Sequence, residues 1–386
     1  MAEFDIIIYG ATGFTGRLVA EYINNTHPNR PWAMAGRSAE KLAQVRDEMG
    51  LPADTAMVVA DASDPASIAA MVARAGVIIT TVGPYQAYGE PLVAACAAAG
   101  TDYVDLSGEP PFMWNMIEKY DAQAKETGAR IVHSCGFDSV PFDMGVYYLQ
   151  EQAKAKFGAP LTDVKGRVRG MRGTFSGGTA ASGMMTMKAA QGDPEVMNRL
   201  MSPFALTPGF VGVEQPHGGK PYEDTDLGAW VAPFFMAPIN TKNVHRSNML
   251  LGHAYGTDFT YEEMMFTGRG EAGEQMAHKL AKMNPMADKN GPKPGEGPSK
   301  EERENGSYDL MFTGVAENGE RMIVGVKGDR DPGYGSTSKM LTECALCLLD
   351  EAADAPGGVL TPAPVFGNAI IERLRARAGL TFEVEA

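Results

Sequence analysis

Positive charge is scarce in this chain: 34 lysines and arginines stand against 48 aspartates and glutamates, a formal net charge of −14. Such a surface repels a phosphate backbone, which excludes nucleic acid as a partner. Cysteine is scarce as well. The four present, Cys96, Cys135, Cys344 and Cys347, sit in apolar runs and are too few for a disulfide scaffold, so a reducing compartment is expected and the protein is read as cytoplasmic. The six histidines are scattered and no HExxH is present, so no metal site is expected. At the N-terminus there is no basic region leading into an apolar stretch and a small-residue cleavage site. Those residues read as a strand running into a glycine turn, and no signal peptide is expected. Long apolar runs are missing too: a spanning helix needs roughly 18 to 20 apolar residues, and "AWVAPFFMAPI" (229–239) is short and interrupted by Pro233 and Pro238.

What is present is enough apolar residue, 44% of 386, for a large core and two domains. From residue 4 to about 135 the runs "FDIIIYG", "PWAMAGR", "TAMVVAD", "AGVIITTVG", "TDYVDLSG" and "ARIVHSCG" alternate with helix-length stretches. Their hydrophobicity is continuous, which predicts strands covered on both faces in a parallel sheet. Beyond residue 158 the patterning turns partly alternating, in "DVKGRVRGMRG", "RSNMLLGHAYG", "TYEEMMFTG" and "YDLMFTGVAENGERMIVGVKGD", with a polar turn at 317–320. This predicts an antiparallel sheet, with a helix over about 178–191 packed on it. Residues 284–306, rich in Pro, Gly, Lys and Glu, predict a mobile surface loop or a lid. The tail returns to helical periodicity. The expected fold class is therefore α/β: a Rossmann doubly wound parallel sheet with an inserted antiparallel α+β domain. Residues 1–145 would form the dinucleotide-binding domain, 146–334 the inserted substrate or oligomerisation domain, and 335–386 C-terminal helices returning to the first domain.

The chemistry is most legible at "GATGFTG", residues 10–16. In G-x-x-G-x-x-G between a strand and a helix, Gly10 permits the tight turn, Gly13 lets backbone approach a pyrophosphate and Gly16 allows close helix packing; Ala11, Thr12, Phe14 and Thr15 complete the phosphate loop. After the second strand an NAD-binding chain carries a carboxylate for the ribose hydroxyls, but here stands Ala35-Gly36-Arg37-Ser38. The Arg37 fork with the Ser38 hydroxyl suits a 2′-phosphate, so NADPH is the expected cofactor; otherwise Arg37 is a solvated cation. Asp61 and Ala62, after the third strand, are placed for the adenine edge. Val82, Gly83 and Pro84 close the fourth near the phosphates or the nicotinamide ribose. Tyr85 is either a site residue or a packing aromatic.

The glycine turn, "AGR", "VGPY", "YVDLSGE" (103–109) and "CGFDSVPFDMG" (135–145), in that order, resemble the saccharopine dehydrogenase-like oxidoreductases, and in particular their branch of trans-acting enoyl reductases. "SGGTAASG" (176–183) and "GGVLTPAPVFGNAIIERL" (357–374) extend the resemblance over nearly the whole chain except residues 195–310. It implies a Rossmann domain with an inserted antiparallel domain, and NAD(P)-linked chemistry at C=C or C=N bonds. It does not assign a catalytic residue.

The residues themselves offer no Tyr-x-x-x-Lys pair and no Cys-His constellation. The thiols of Cys344 and Cys347 lie in a helical run and read as ordinary buried groups, and His133 reads as a packed residue. Hydride transfer needs only a positioned nicotinamide and one proton donor. Gly136, Phe137 and Asp138, with Ser139 and Pro141, come after the sixth strand and are expected to border the nicotinamide, unless they only cap the next helix. Ser176 and Thr179, at a strand-to-helix turn, would hold a substrate carbonyl oxygen or act as plain N-caps. Tyr85, Ser139, Ser176 and Thr179 are thus the catalytic candidates. Twenty-four methionines, among them Met184, Met185 and Met187, suit a gap-filling core or an apolar pocket. The leading expectation is an NADPH-dependent enoyl reductase of a bulky, apolar, lipid- or isoprenoid-like small molecule, compatible with peripheral membrane contact and a homodimer. Against it stand a saccharopine-type dehydrogenase acting on an amino acid C–N bond, with Arg167, Arg169 and Arg172 as carboxylate clamps, and a non-catalytic NADPH-binding protein.

Overall fold

In a computed structural model the chain is described at residues 2–173, 177–283 and 296–386, with backbone alone at 177–181. Strands β1 (Phe4–Tyr9), β2 (Trp32–Gly36), β3 (Ala56–Val59), β4 (Ala75–Thr80), β5 (Asp102–Val104) and β6 (Arg130–Val132) form a parallel sheet in the order β3-β2-β1-β4-β5-β6. Helices α1 (Phe14–Thr26), α2 (Ala39–Glu48), α3 (Pro65–Val72), α4 (Tyr85–Tyr88), α5 (Glu90–Ala99) and α6 (Pro110–Thr127) connect them. The pleat explains the continuous hydrophobicity of β1. Ile6 and Ile8 enter one core and Ile7 and Tyr9 the other, with no isoleucine surface left in water. The strand order reverses beside β1, between β2 and β4, which opens a crevice at the carboxyl ends of the strands.

Helix α7 (Val140–Phe157) leads to the second sheet, built from β7 (Asp163–Arg172), β8 (Tyr222–Asp224), β9 (Ala229–Pro233), β10 (Thr260–Gly268), β11 (Ser307–Val315) and β12 (Arg321–Gly328). Its pairs are antiparallel except β7 with β10, which run parallel. The long crossover between these two strands, through α8 (Gly177–Gly192), α9 (Pro194–Met201) and α10 (Ala237–Leu250), returns the chain to the starting edge and so permits the parallel pair. The β11–β12 hairpin turns at 316–320, as its polar turn predicts. The run "RSNMLLGHAYG" forms no strand: Arg246–Leu250 end α10, and the rest of the run is loop. Helix α11 (Gly270–Leu280) comes after β10, and α12 (Lys300–Glu304), with a capping box between Ser299 and Glu302, precedes β11. The expected loop at 284–306 is thus helical in part; its residues 284–295 lie outside the described ones.

The tail serves both sheets. Helix α13 (Thr337–Asp350) packs on α1 and β4, where Glu343 accepts from the Tyr22 hydroxyl at 2.8 Å. Strand β13 (Gly358–Leu360) extends the first sheet beside β6, whereas α14 (Pro362–Arg373) leads to β14 (Leu380–Val384), which pairs with β12 on the second. One apolar cluster runs from Ile6 and Ile8 through Phe142 on α7 to Phe312 and Val324 of the second sheet, so the two sheets share a core.

Candidate functional site

The glycine turn has the geometry a pyrophosphate requires. Gly10 has φ +92°, and a side chain there would meet Thr81 Oγ1 at 2.7 Å and Val82 Cγ2 at 2.8 Å. A Cβ on Gly16 would run into the Gly10 carbonyl, so α1 approaches β1 this closely only with glycine there. Gly13 is the N-cap, and no side chain among the described residues bonds the first N–H groups of α1, the arrangement in which a helix N-terminus can receive an anion. The turn is anchored by the Gly10 and Ala11 amides, which donate to the Ala35 carbonyl at 3.0 and 3.2 Å. Thr12 and Thr15 remain partly exposed along it. Phe14 points elsewhere: its ring packs edge-on to Tyr334 at 5.2 Å, under the Arg303 guanidinium at 5.6 Å and against Gly297. The segment just before β11 therefore reaches the nucleotide loop.

Arg37 is exposed after β2, and Ser38 caps α2 by accepting from the Lys41 amide at 3.2 Å. Asp61 forms a turn in which the Ser63 amide and hydroxyl donate to Oδ1 at 2.9 and 2.8 Å. Those bonds hold the carboxyl below its ordinary range, and the charge of Arg37 adds to the effect. Ala62 lies next to the Tyr9 hydroxyl. Cofactor candidates from the first three strands thus meet at one end of the sheet.

Three further loops, after β4, β5 and β6, converge on a buried acidic network. Glu109 accepts the Tyr85 and Gln86 amides, each at 2.9 Å, and so holds the N-terminus of α4 and the Val82-Gly83-Pro84 loop before it. Asp105 accepts from the Tyr103 hydroxyl at 2.8 Å, the Ser107 and Ser134 amides at 2.9 Å each, and pairs with His133 Nδ1 at 2.7 Å. His133 is packed against Phe112 and Tyr103, as expected from sequence. Glu109 and Asp105 escaped the sequence reading although both lie within "YVDLSGE", because a carboxylate on a loop announces nothing until the loops it ties are known.

Of the catalytic candidates, Tyr85 is a packed ring. It stacks on Phe112 with centroids 5.6 Å apart, its hydroxyl donates to the Thr80 carbonyl at 3.1 Å, and burial pushes its pKa well up. Ser139 is fully buried and accepts from Asn243 Nδ2 of α10 at 2.7 Å. Phe137 turns its ring into the core against Phe142 and Tyr308, while its amide donates to Thr337 Oγ1 at 3.0 Å; Gly136 is pressed against the same threonine. Asp138 alone of residues 136–139 is half-buried rather than buried, with Oδ2 over Gly108. Burial pushes its carboxyl up to about 7, and Asp105 adds repulsion. Pro141 lies in the first turn of α7. Ser176 lies outside the described residues, and Thr179 sits in α8 with only its backbone described. Helix α8 touches α4, with Gln86 Nε2 donating to Thr186 Oγ1 at 2.8 Å and Ser182 against Gly83. All four cysteines are buried free thiols, and burial raises the pKa of Cys96, Cys135 and Cys347.

Comparison with known proteins agrees with this geometry. The saccharopine dehydrogenase NADP-binding domain matches residues 6–132, which makes this an NADP-binding domain. A provisionally named trans-acting enoyl reductase of Mycobacterium tuberculosis is 44% identical, over 99% of this chain and 97% of its own. The trans-acting enoyl reductase of Mycobacterium ulcerans is 40% identical over 96% of each chain. The apo structure of saccharopine dehydrogenase (L-Glu forming) from Saccharomyces cerevisiae, only 12% identical, superposes with a TM-score of 0.54 over 99% of this chain and 100% of its own, a likeness of fold.

Proposed function

The chain belongs to the saccharopine dehydrogenase-like trans-acting enoyl reductases and is an NAD(P)H-dependent oxidoreductase; on that premise we propose that it reduces, with NADPH, a C=C bond conjugated to a carbonyl in a bulky, apolar, lipid- or isoprenoid-like substrate. Residues 1–145 and much of 335–386 hold the cofactor, and 146–334 receive the substrate. NADPH supplies the hydride. The chain's own groups do the rest: the glycine turn seats the pyrophosphate, Arg37 takes the 2′-phosphate, and the Glu109-tied loop with the loop after β6 fixes where substrate lies.

The observation that favours an apolar enoyl compound over an amino acid is the fate of the arginines on β7. An amino acid substrate would need free cations for its carboxylates. Two of the three are committed: Arg167 is buried and bonded to Asp224 at 2.8 Å and Glu262 at 2.9 Å, and Arg169 is bonded to Asp309 and Glu385, each at 2.6 Å, which leaves Arg172, exposed at the end of β7, where such a substrate needs a converging set. On α8 and α9, by contrast, Met184, Met187 and Met201 are 62%, 50% and 75% exposed, and α8 is the helix that Thr186 joins to Gln86. Unpartnered methionine of this kind suits an irregular apolar ligand.

The test is to follow NADPH absorbance with a medium-chain trans-2-enoyl N-acetylcysteamine thioester, and NADP⁺ reduction with saccharopine. Oxidation of NADPH by the thioester is expected. Turnover confined to the amino acid overturns the assignment, and inertness toward both leaves a nucleotide-binding protein.

A further inference from the structure

The geometry points to Asp138 as the catalytic acid: its carboxyl O–H gives the proton that the substrate's α-carbon receives once hydride has reached the β-carbon. The inference rests on the C=C reading above.

Three observations carry it. Asp138 stands at the carboxyl end of β6, where the loops after β4, β5 and β6 meet; its Oδ2 lies over Gly108, so near that a Cβ there would be 2.6 Å away. The neighbouring carboxylates are already committed, Asp105 to His133, Tyr103 and two amides, and Glu109 to the two amides of α4. Asp138 has no such commitment among the described residues: the one bond that acts on its carboxyl is to its own backbone, and the residue is half-buried where its loop neighbours Phe137 and Ser139 are buried.

Its surroundings favour the protonated form. Among the described residues, the titratable groups that face it are the Asp105 carboxyl, which disfavours a second charge beside it, and the Tyr85 phenol, which burial holds well above its ordinary range. Helix α10 reaches the adjacent Ser139 only through the Asn243 amide. Lys242 on that helix turns its amine to the Pro238 carbonyl at 2.9 Å, and His245 lies among Phe204 and Phe259. With burial and Asp105 acting on it and no cation beside it among the described residues, the acid form of Asp138 persists to about pH 7.

The step balances. Hydride forms a C–H bond at the β-carbon, and the alkene π electrons move onto the carbonyl oxygen as an enolate. The enolate then forms a C–H bond at the α-carbon with the proton of Asp138, whose O–H bond breaks, and the carbonyl is restored. Water reprotonates the carboxylate.

In the wild-type enzyme, kcat with the enoyl thioester should fall about tenfold per pH unit above about pH 7. Asp138→Asn should lower kcat by about 10²- to 10⁴-fold, abolish that limb and leave NADPH affinity, read by fluorescence titration, within about twofold, since an amide keeps the volume but donates no acidic proton. The cofactor-free protein gives an independent reading. Its infrared difference spectrum against Asp138→Asn should show one protonated-carboxyl band that disappears as pH rises through about 7. A flat wild-type pH profile, or no such band at about pH 6, overturns the acid role. Turnover by wild type and variant alike overturns it while leaving the C=C reading intact, whereas a wild type inert toward the thioester removes both.

Discussion

Arg37 is exposed, so its value to the free protein is small; what it offers is a planar pair of donors held at the end of β2 with Asp61 nearby. A 2′-phosphate brings two negative charges to that fork, and a 2′-hydroxyl brings none. Arg37→Ala should therefore weaken NADPH by about 1–3 kcal/mol and leave NADH nearly unchanged, with the difference shrinking as salt is added. Equal losses for the two cofactors in a fluorescence titration would remove Arg37 from the site. The role proposed for Arg37 is legible in sequence because it is local: the residue comes after the second strand, where a cofactor ribose lies in a Rossmann domain. The same is true of Gly10 and Gly16, whose demands, a positive φ and a missing Cβ, are met within a few residues. Asp138 was visible as a loop residue, but its acidity was not, since that comes from neighbours scattered along the chain.

At the scale of elements, α4 is a single turn, too short to persist alone. It stands because Glu109 accepts the Tyr85 and Gln86 amides at its N-terminus and Tyr85 packs on Phe112. Glu109→Gln keeps the shape, but turns an amide donor toward one of those N–H groups and discards the charge. The expected cost is about 2–4 kcal/mol, read as a lower denaturant midpoint at unchanged slope, with weaker NADPH binding because the Val82-Gly83-Pro84 loop loses its anchor. A variant as stable as wild type would make the carboxylate dispensable. Strands β1 to β6 of the first sheet were readable from continuous apolar runs, whereas the three-residue β13 beside them was not, and the β11–β12 hairpin was readable from its turn. Helix α10 was not. Its sequence, "APINTKNVHRSNML", looks solvated, yet Asn240, Lys242, Asn243, His245, Arg246, Ser247 and Asn248 are all buried. Hydrophobic periodicity finds elements that meet the core with apolar side chains and is blind to one that meets it with amides and hydroxyls.

For the molecule as a whole, that helix is the clamp between the sheets. Asn243 bonds Ser139 of the nucleotide side, Ser247 bonds Asp143 of α7 at 2.8 Å, Arg246 bonds the Val359 carbonyl of β13, and Asn240 bonds Glu263 of β10 at 2.9 Å. The seam is polar, and two of its carboxyls have no cation beside them among the described residues: burial pushes Asp143 up to about 7 and Glu263 up to about 8. For Glu263 the folded-state pKa lies above the ordinary 4.5, so the folded chain holds a proton that the unfolded chain releases. The stability tied to that proton is complete below the unfolded value and is lost as pH climbs through the folded one. Glu263→Gln imitates the protonated form at every pH, keeping an acceptor for Tyr261 or Asn240. Between about pH 6 and about pH 9 the wild type should therefore lose roughly 2–3 kcal/mol more than the variant, measured by urea unfolding at each pH. Near about pH 5 the two should unfold almost alike, because both then carry a neutral side chain at the seam. Parallel pH profiles would mean that Glu263 is ionised in the folded protein, and that the contact between the sheets draws on a charge the structure leaves without a cationic partner among the described residues.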